Sequence, residues 1–315
     1  MAGQVDLSSI ASREFPAVVF VNPAAGGGRT ADYLPRIRKI FKAHALPTEF
    51  VLTKSAVELE GRARESIASR SRLLLAMGGD GTFQGLANAA IGSDILLGVL
   101  PSGGGNDLAA ALGLPKNPVA AADAVLRGQP RPVDLVRVRT AEGHERLYAG
   151  GGGVGLDAEA AGYASGAYRR LPGRLRYVAA ALRALRGFSP LQVRAEFPES
   201  ELPSIESKVL LAGVLNTPTY GAGVRLAPEA QISDGWFDAV FVDDLSLWGV
   251  LKLLPRLMQS GDMRIPEVKR IRAKRVKLIT DRPCMFHADG EIIGPAPVEI
   301  DVVPCAVRML APVVD

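Results

Sequence analysis

The apolar run Leu73-Leu74-Leu75 leads directly into Ala76-Met77-Gly78-Gly79-Asp80-Gly81-Thr82-Phe83, and no other stretch narrows the choice of fold as far. The run reads as a buried strand. Residues 82–90 read as a helix of small side chains that ends at Gly92. Gly78, Gly79 and Gly81 therefore sit on a strand-to-helix turn, where missing side chains let backbone N–H groups approach a ligand closely. The helix start adds partial positive charge. A phosphate is the natural ligand of such a turn, although glycines here also serve simply to turn the chain tightly.

The flanking segments repeat the alternation. Ala17-Val18-Val19-Phe20-Val21 is a β-branched strand that ends in Asn22-Pro23-Ala24-Ala25-Gly26-Gly27-Gly28-Arg29, a loop without the GxxxxGK(S/T) spacing of a P-loop. Asp32 is expected to cap the next helix, with Pro35 in its first turn and Ile37, Ile40 and Phe41 on its apolar face. Phe50-Val51-Leu52-Thr53 reads as a second strand, and Ser55 with Glu58 has capping-box spacing for a helix carrying Ala56, Leu59, Ala63 and Ile67. A fourth strand over residues 95–100 ends at Pro101-Ser102-Gly103-Gly104-Gly105-Asn106-Asp107, followed by a short helix stopped by Gly113 and another opened by Asn117-Pro118. Strand and helix in alternation specify a Rossmann-like parallel sheet with helices on both faces. Glycine-rich loops after strands one, three and four all fall on the edge where open α/β sheets bind ligands, which points to a polyphosphate.

Near Val133 the rhythm changes. Strands are expected over residues 133–138 and 146–149, around a turn at Glu142-Gly143, then two helical segments after Gly150-Gly151-Gly152-Gly153. The second, over residues 175–185, gathers Leu175, Val178, Leu182 and Leu185 on one face and Arg176, Arg183 and Arg186 on another. From residue 191 strands dominate (191–197, 208–215, 236–242, 268–271, 276–279, 283–287, 298–303 and 306–310), with one helix at 246–258. Residues 133–304 thus read as a β-sandwich domain, and 1–132 as the α/β domain. A ligand site is expected in the inter-domain cleft.

Composition sets the outer limits. A chain of 315 residues can bury two cores, and no apolar run reaches the length of a membrane span. The first residues show no secretory signal. A net charge of +4 with clustered basic residues suits an anionic substrate or surface, and no zinc-finger or ribonucleoprotein motif argues for nucleic acid. Cys284 and Cys305 are expected to be buried thiols, and three scattered histidines do not suggest a metal site. Trp248, Leu251 and Leu254 are expected to lie in the core.

Gly78-Gly79-Asp80-Gly81-Thr82, followed by Pro101-Ser102-Gly103-Gly104-Gly105-Asn106-Asp107, resembles the diacylglycerol kinase catalytic-domain family, which includes bacterial lipid kinases and the sphingosine and ceramide kinases. Asn22-Pro23 with its glycines, Gly153-Val154-Gly155-Leu156-Asp157-Ala158, Ala227-Pro228-Glu229-Ala230 with Ser233-Asp234-Gly235, and Asp289-Gly290-Glu291 extend the resemblance over nearly the whole chain. It implies an α/β nucleotide domain, a β-sandwich domain, a C-terminal strand at 305–315 that returns to join the first domain, and transfer of the ATP γ-phosphate to a lipid hydroxyl with Mg2+. It implies that Asn22, Pro23, Gly26, Gly27, Arg29, Thr53, Gly78, Gly79, Asp80, Gly81, Thr82, Gly104, Asn106 and Asp107 hold the nucleotide and its metal. It implies that Asp289 is the general base with Glu291 nearby, and that Gln231, Asp234 and the Trp236 carbonyl form a structural magnesium site. The family usually carries threonine where Gly104 stands, so one phosphate-contacting hydroxyl is missing.

Other readings stay open on the residues alone. Asp289-Gly290 and Asp234-Gly235 are good turn formers, and Arg29 suits a solvated surface. An NAD kinase-like enzyme or a nucleotide-binding regulator without catalysis are the alternatives to a lipid kinase. The reading carries further expectations: a cytoplasmic protein in peripheral contact with a membrane, no nucleic-acid partner, and strand edges compatible with a homodimer.

Overall fold

The computed structural model describes residues 10–168, 179–180, 183–184, 186–198, 200–221, 223–259 and 265–313. The chain divides into two units, Met1–Val133 with Cys305–Asp315, and Asp134–Pro304.

In the first unit, β1 (Ala17–Val21), β2 (Thr48–Leu52), β3 (Leu73–Gly78) and β4 (Leu96–Pro101) form a parallel sheet in the order β2-β1-β3-β4. The C-terminal end of β15 (Val298–Ala311) lies parallel beside β4, with Arg308 opposite Leu96. Every residue of β1, β3 and β4 is buried, as strands covered on both faces must be. The helices are α1 (Thr30–Ala43), α2 (Ala56–Ala68), α3 (Asp80–Ala90), α4 (Asp107–Ala111) and α5 (Pro118–Leu126). Helix α1 packs on α5, and α2 on α3. The chain steps from β1 out to β2, then returns past β1 to β3, so right-handed crossovers put α1 and α2 on opposite faces. The reversal opens the crevice between β1 and β3, where sheets of this kind bind ligands.

Local chemistry sets the helix boundaries. Ser55 Oγ accepts from the Glu58 N–H at 3.1 Å, but Glu58 Oε2 accepts from the Lys54 N–H at 2.9 Å, so the reciprocal arm reaches one residue beyond the cap. Asn117 caps α5 through the Val119 N–H at 2.9 Å. Helix α1 starts earlier than Asp32 suggests: Asp32 lies inside its first turn and Pro35 beyond it, with no side chain capping the start. The helix instead follows a tight loop, Ala25–Gly28, in which Gly26 and Gly27 take positive, non-helical φ, pinned by the buried Thr30 hydroxyl donating to the Ala25 carbonyl at 2.9 Å.

The second unit is built from antiparallel pairs. It contains most of β5 (Gln129–Thr140), then β6 (Glu145–Tyr148), β7 (Gly151–Gly155), α6 (Leu156–Ser165), β8 (Leu191–Glu196), β9 (Ile205–Leu215), β10 (Phe237–Asp243), α7 (Leu247–Gln259), β11 (Val268–Ala273), β12 (Arg275–Thr280), β13 (Met285–Ala288) and β14 (Glu291–Pro295). Strand β9 is its axis: its first half pairs β8, and its second half runs between β7 and β10. From Leu211 onward alternate residues of β9 serve two cores. Ala212 and Val214, with Val209 on the other side of a register shift, join the cluster containing Phe237, Phe241, Phe286 and Ile300. Leu211 and Leu215 face the other way, onto Leu226, Val240, Leu253 and Leu257.

Several expectations change. The strands expected at 298–303 and 306–310 are one strand, β15, because Pro304 and Cys305 (φ 50°) bend it without ending it. That bend exposes Cys305, and Cys284 is only half-buried, so neither is a core thiol. Gly151–Gly155 is a buried strand. Trp248 is 72% exposed and Leu251 38% exposed, because α7 turns Leu253 and Leu257 inward instead. The side chain of Leu254, and most of the arginine-bearing segment at 175–185, lie outside the described residues.

Candidate active site

Two clusters of the expected residues form, one in each unit. In the first unit the strand register puts Asn22, Thr53, Gly78 and Pro101 at one level, the C-terminal edge of the sheet, with Ser102 one residue beyond. There the three glycine-rich loops are tied together. Asn22 Nδ2 donates to Thr82 Oγ1 at 3.3 Å, across the crevice between β1 and β3. The Ser102 hydroxyl donates to Thr30 Oγ1 at 3.0 Å. The Ser102 and Gly103 N–H groups both donate to the Gly78 carbonyl, at 2.8 and 3.2 Å.

Only glycine allows this approach. A Cβ on Gly103 would lie 2.5 Å from the Gly79 Cα, and one on Gly26 would lie 2.4 Å from the Ser102 carbonyl oxygen. Gly26, Gly27 and Gly28 all take positive φ, which wraps the first loop back on itself. Among the described residues no side chain caps α3, and its start is closed by the Thr82 and Phe83 N–H groups donating to the Gly79 carbonyl at 3.0 and 3.2 Å.

The acidic residues converge beside the cradle. Asp80 Oδ2 accepts from the Asn106 N–H at 2.7 Å. A Cβ on Gly105 would stand 2.6 Å from Asp80 Oδ2 and 3.6 Å from Asp107 Oδ2, so both carboxylates face the space that Gly105 leaves. Asn106 (φ 62°) closes its own loop, taking the Gly103 N–H on Oδ1 at 3.1 Å and donating from Nδ2 to the Gly103 carbonyl at 2.9 Å. Pro23, Gly81 and Gly104 are half-buried in these same loops. Arg29 is exposed and braces the first loop by donating from Nε to the Gly26 carbonyl at 3.2 Å. Thr53 is buried with its hydroxyl on the Val21 carbonyl at 3.5 Å, which fixes the end of β2. Thr30 was not foreseen as a site residue, and only its position after a glycine loop could have marked it.

In the second unit, β13 and β14 form a hairpin whose turn is Asp289-Gly290. Both residues take positive φ, 46° and 89°, as a two-residue turn with Asp-Gly requires. The turn also presents a carboxylate. Asp289 Oδ2 accepts from the Ala149 N–H at 2.9 Å, and Oδ1 from the Gly150 and Gly151 N–H groups at 3.1 Å each. Glu291 opens β14 and pairs with Arg146 at 3.3 Å. Below them Tyr148 is fully buried and donates to the Val214 carbonyl at 3.2 Å. Burial, with the Asp289 charge beside it, pushes its phenol pKa well above the ordinary value, so the phenol stays protonated. Arg146 and Tyr148 carried no sequence signal, because each reads as an ordinary strand residue.

The third expected group does not gather as a cation site. Asp234 Oδ2 is paired with Arg272 at 2.6 Å, and Oδ1 accepts from the Trp236 N–H at 3.0 Å. Lys274 Nζ and the Arg272 guanidinium lie 4.7 and 5.5 Å from the Trp236 ring centre, while Gln231 is exposed. Arginine is the counter-charge here, and this donor set does not fit magnesium. Among the described residues no three His, Cys, Asp or Glu side chains group as a metal site.

A glycine-rich turn at the switch point of a parallel sheet is the place where α/β proteins of this kind bind ligands. Residues 16–138 match the diacylglycerol kinase catalytic domain, and residues 152–311 match the YegS C-terminal NAD kinase beta sandwich-like domain. The chain belongs to the diacylglycerol kinase family of lipid kinases. It is 34% identical over 250 residues to a diacylglycerol kinase of Mycobacterium tuberculosis, covering 78% of this chain and 79% of that one. It is 27% identical over 286 residues to a diacylglycerol kinase of Bacillus subtilis, covering 90% and 92%. It is 27% identical over 284 residues to a probable YegS-like lipid kinase of Stenotrophomonas maltophilia, covering 86% and 89%. The crystal structure of a diacylglycerol kinase from Bacillus anthracis superposes with a TM-score of 0.71 at 19% identity, over 94% of this chain and 97% of that one. Kinase chemistry implies ATP as donor. Among the described residues no helix is long and apolar enough to cross a membrane.

Proposed function

We propose that the chain phosphorylates the free hydroxyl of a diacylglycerol-like lipid, with ATP and Mg2+, at a membrane surface on the cytoplasmic side where ATP is available. The observation that carries this reading is the convergence of three glycine-rich loops on the crevice between β1 and β3, cross-bonded by Asn22, Thr82, Thr30 and Ser102. The phosphates of ATP lie against the N–H groups of residues 78–81 at the start of α3, with Gly26, Gly27 and Gly104 keeping the approach open and Pro23 fixing the end of β1. Arg29 faces the phosphate charge, and Thr53 supports the cradle from beneath. Asp80 and Asp107 suit Mg2+, which binds through one or two carboxylates together with substrate phosphates. The metal, when bound, offsets charge on the transferring phosphoryl group.

Asp289 takes the proton of the lipid hydroxyl as its oxygen bonds to the γ-phosphorus, and the bond to the β-phosphate oxygen breaks to release ADP. The three amides around Asp289 hold the carboxylate in one orientation, and an incoming hydroxyl has to share an oxygen with them. Glu291 and Arg146 fix the far side of the turn.

Calorimetry with ATP–Mg2+ tests the cradle. Wild type binds, Gly103→Val loses binding because its side chain would overlap Gly79, and Gly104→Thr binds more tightly by restoring a hydroxyl. Equal binding by wild type and Gly103→Val would contradict the cradle.

A further inference from the structure

Helix α7 lies on the second unit by one face and shows an unusual residue set on the other. Leu253 and Leu257 are buried in the cluster with Leu211, Leu215 and Val240. The Arg225 N–H donates to the Leu257 carbonyl at 2.9 Å, and the Gly249 N–H donates to Ser246 Oγ at 3.2 Å. These contacts fix which face points outward. That face carries Trp248 (72% exposed), Leu251 (38%) and Met258 (41%), with Lys252, Pro255 and Arg256 also exposed. At 100° per residue, Met258, Leu251, Pro255 and Trp248 form one continuous apolar arc, and Lys252 and Arg256 flank it on one side.

We infer that this outward face of α7 is the surface by which the protein lies on an anionic lipid bilayer. The inference rests on the lipid-kinase reading and adds the place of contact. An amphipathic helix in a membrane interface needs an apolar stripe, aromatic residues among it and cations at its border, and α7 has all of these. The helix contains no acidic residue, so its charge suits anionic headgroups. The neighbouring acids Asp243 and Asp244 are already paired with Lys269 and Lys208. A second copy is the poorer occupant, because a symmetric contact sets Lys252 and Arg256 against themselves. A lipid kinase also has to reach a hydroxyl held at the bilayer surface, and no helix among the described residues crosses the membrane.

The test is sedimentation of the full chain with vesicles of phosphatidylglycerol and phosphatidylcholine, and with phosphatidylcholine alone. Wild type should partition to the anionic vesicles. Trp248→Ser with Leu251→Ser should lower partitioning about tenfold on both compositions. Lys252→Gln should lower it about fivefold on the anionic vesicles only. In parallel, Trp236→Phe leaves Trp248 as the sole tryptophan, and its fluorescence should shift to the blue on anionic vesicles, a readout that leaves the face intact.

Unchanged partitioning of both variants, with no shift of Trp248, overturns the assignment. So does a dimer that dissociates in the Trp248→Ser, Leu251→Ser protein while vesicle binding persists. Phosphorylation of a short-chain diacylglycerol dissolved as monomers separates the two levels. The variants should keep that activity while losing activity on vesicle-borne diacylglycerol. If wild type phosphorylates neither substrate yet its vesicle binding depends on α7, the kinase reading fails and the docking surface stands.

Discussion

Gln84 sits in α3 with no exposed surface, and neither its amide nitrogen nor its amide oxygen has a hydrogen-bond partner among the described residues. An unpaired buried amide costs about 1–3 kcal/mol. Gln84→Met keeps the shape and removes the polar atoms, so thermal or urea unfolding should show a gain of about 1–2 kcal/mol. Asp238 is the clearest titrating case. Burial first, then the charges of Asp234 and Glu229, raise its pKa from 3.8 to about 6, against the pull of Arg272 and Arg270. The native state therefore keeps its proton between about pH 4 and pH 6, where the unfolded chain has lost it. Stability falls as pH rises through that window, and the loss is complete above about 6. Asp238→Asn should raise stability at pH 8 by about 2 kcal/mol and have little effect at pH 4, measured by urea unfolding at each pH. Asp289 was legible as a turn former from Asp-Gly alone, but its three amide donors were not, because Ala149, Gly150 and Gly151 are far away in sequence. Asp289→Asn turns an amino group toward those donors. It should reduce lipid phosphorylation at least about a hundredfold and also lower stability by about 1–3 kcal/mol.

At the scale of elements, the parallel sheet was legible because β1, β3 and β4 are buried apolar runs that end at glycine or proline. Asn117 caps its helix as expected and Ser55 does so through one arm of the capping box, so Ser55→Ala should cost about 1 kcal/mol by thermal unfolding. The first helix misled because Asp32 looks like a cap, while Thr30 anchors the turn through partners at Ala25 and Ser102 that no local pattern reveals. Strand β14 was missed, since Glu291-Ile292-Ile293-Gly294-Pro295 is short and ends in breakers. The split reading of β15 followed Pro304-Cys305, although pairing with β12 on one side of the bend and with β4 on the other carries the strand through it. Within the second unit, β15 also supplies Asp301, which is 6% exposed and takes Arg137 and Arg139 on its two oxygens, the closer contacts being 2.5 and 3.0 Å. Asp301→Ala leaves two guanidinium groups without their shared acceptor and should cost about 3 kcal/mol in unfolding assays.

At the scale of the molecule, each unit carries a cluster whose residues sequence motifs had marked. The loops around Gly26, Gly78 and Gly103 converge in one unit, where we propose that phosphate binds, and the Asp289 turn stands in the other. The motifs were legible because phosphate binding needs glycine at fixed places on a strand edge. The face of α7 was not, because an exposed Trp248 and a buried one have the same pattern in the sequence until the inward-facing Leu253 and Leu257 are known. The central claim is that this chain moves the γ-phosphate of ATP to a lipid hydroxyl. The most direct measurement supplies ATP labelled at that phosphate, Mg2+ and diacylglycerol in mixed micelles, then resolves the lipid products. Labelled phosphatidic acid from wild type, abolished in Gly103→Val, is the predicted result. ATP bound with no labelled lipid formed from diacylglycerol or any other lipid alcohol would contradict it.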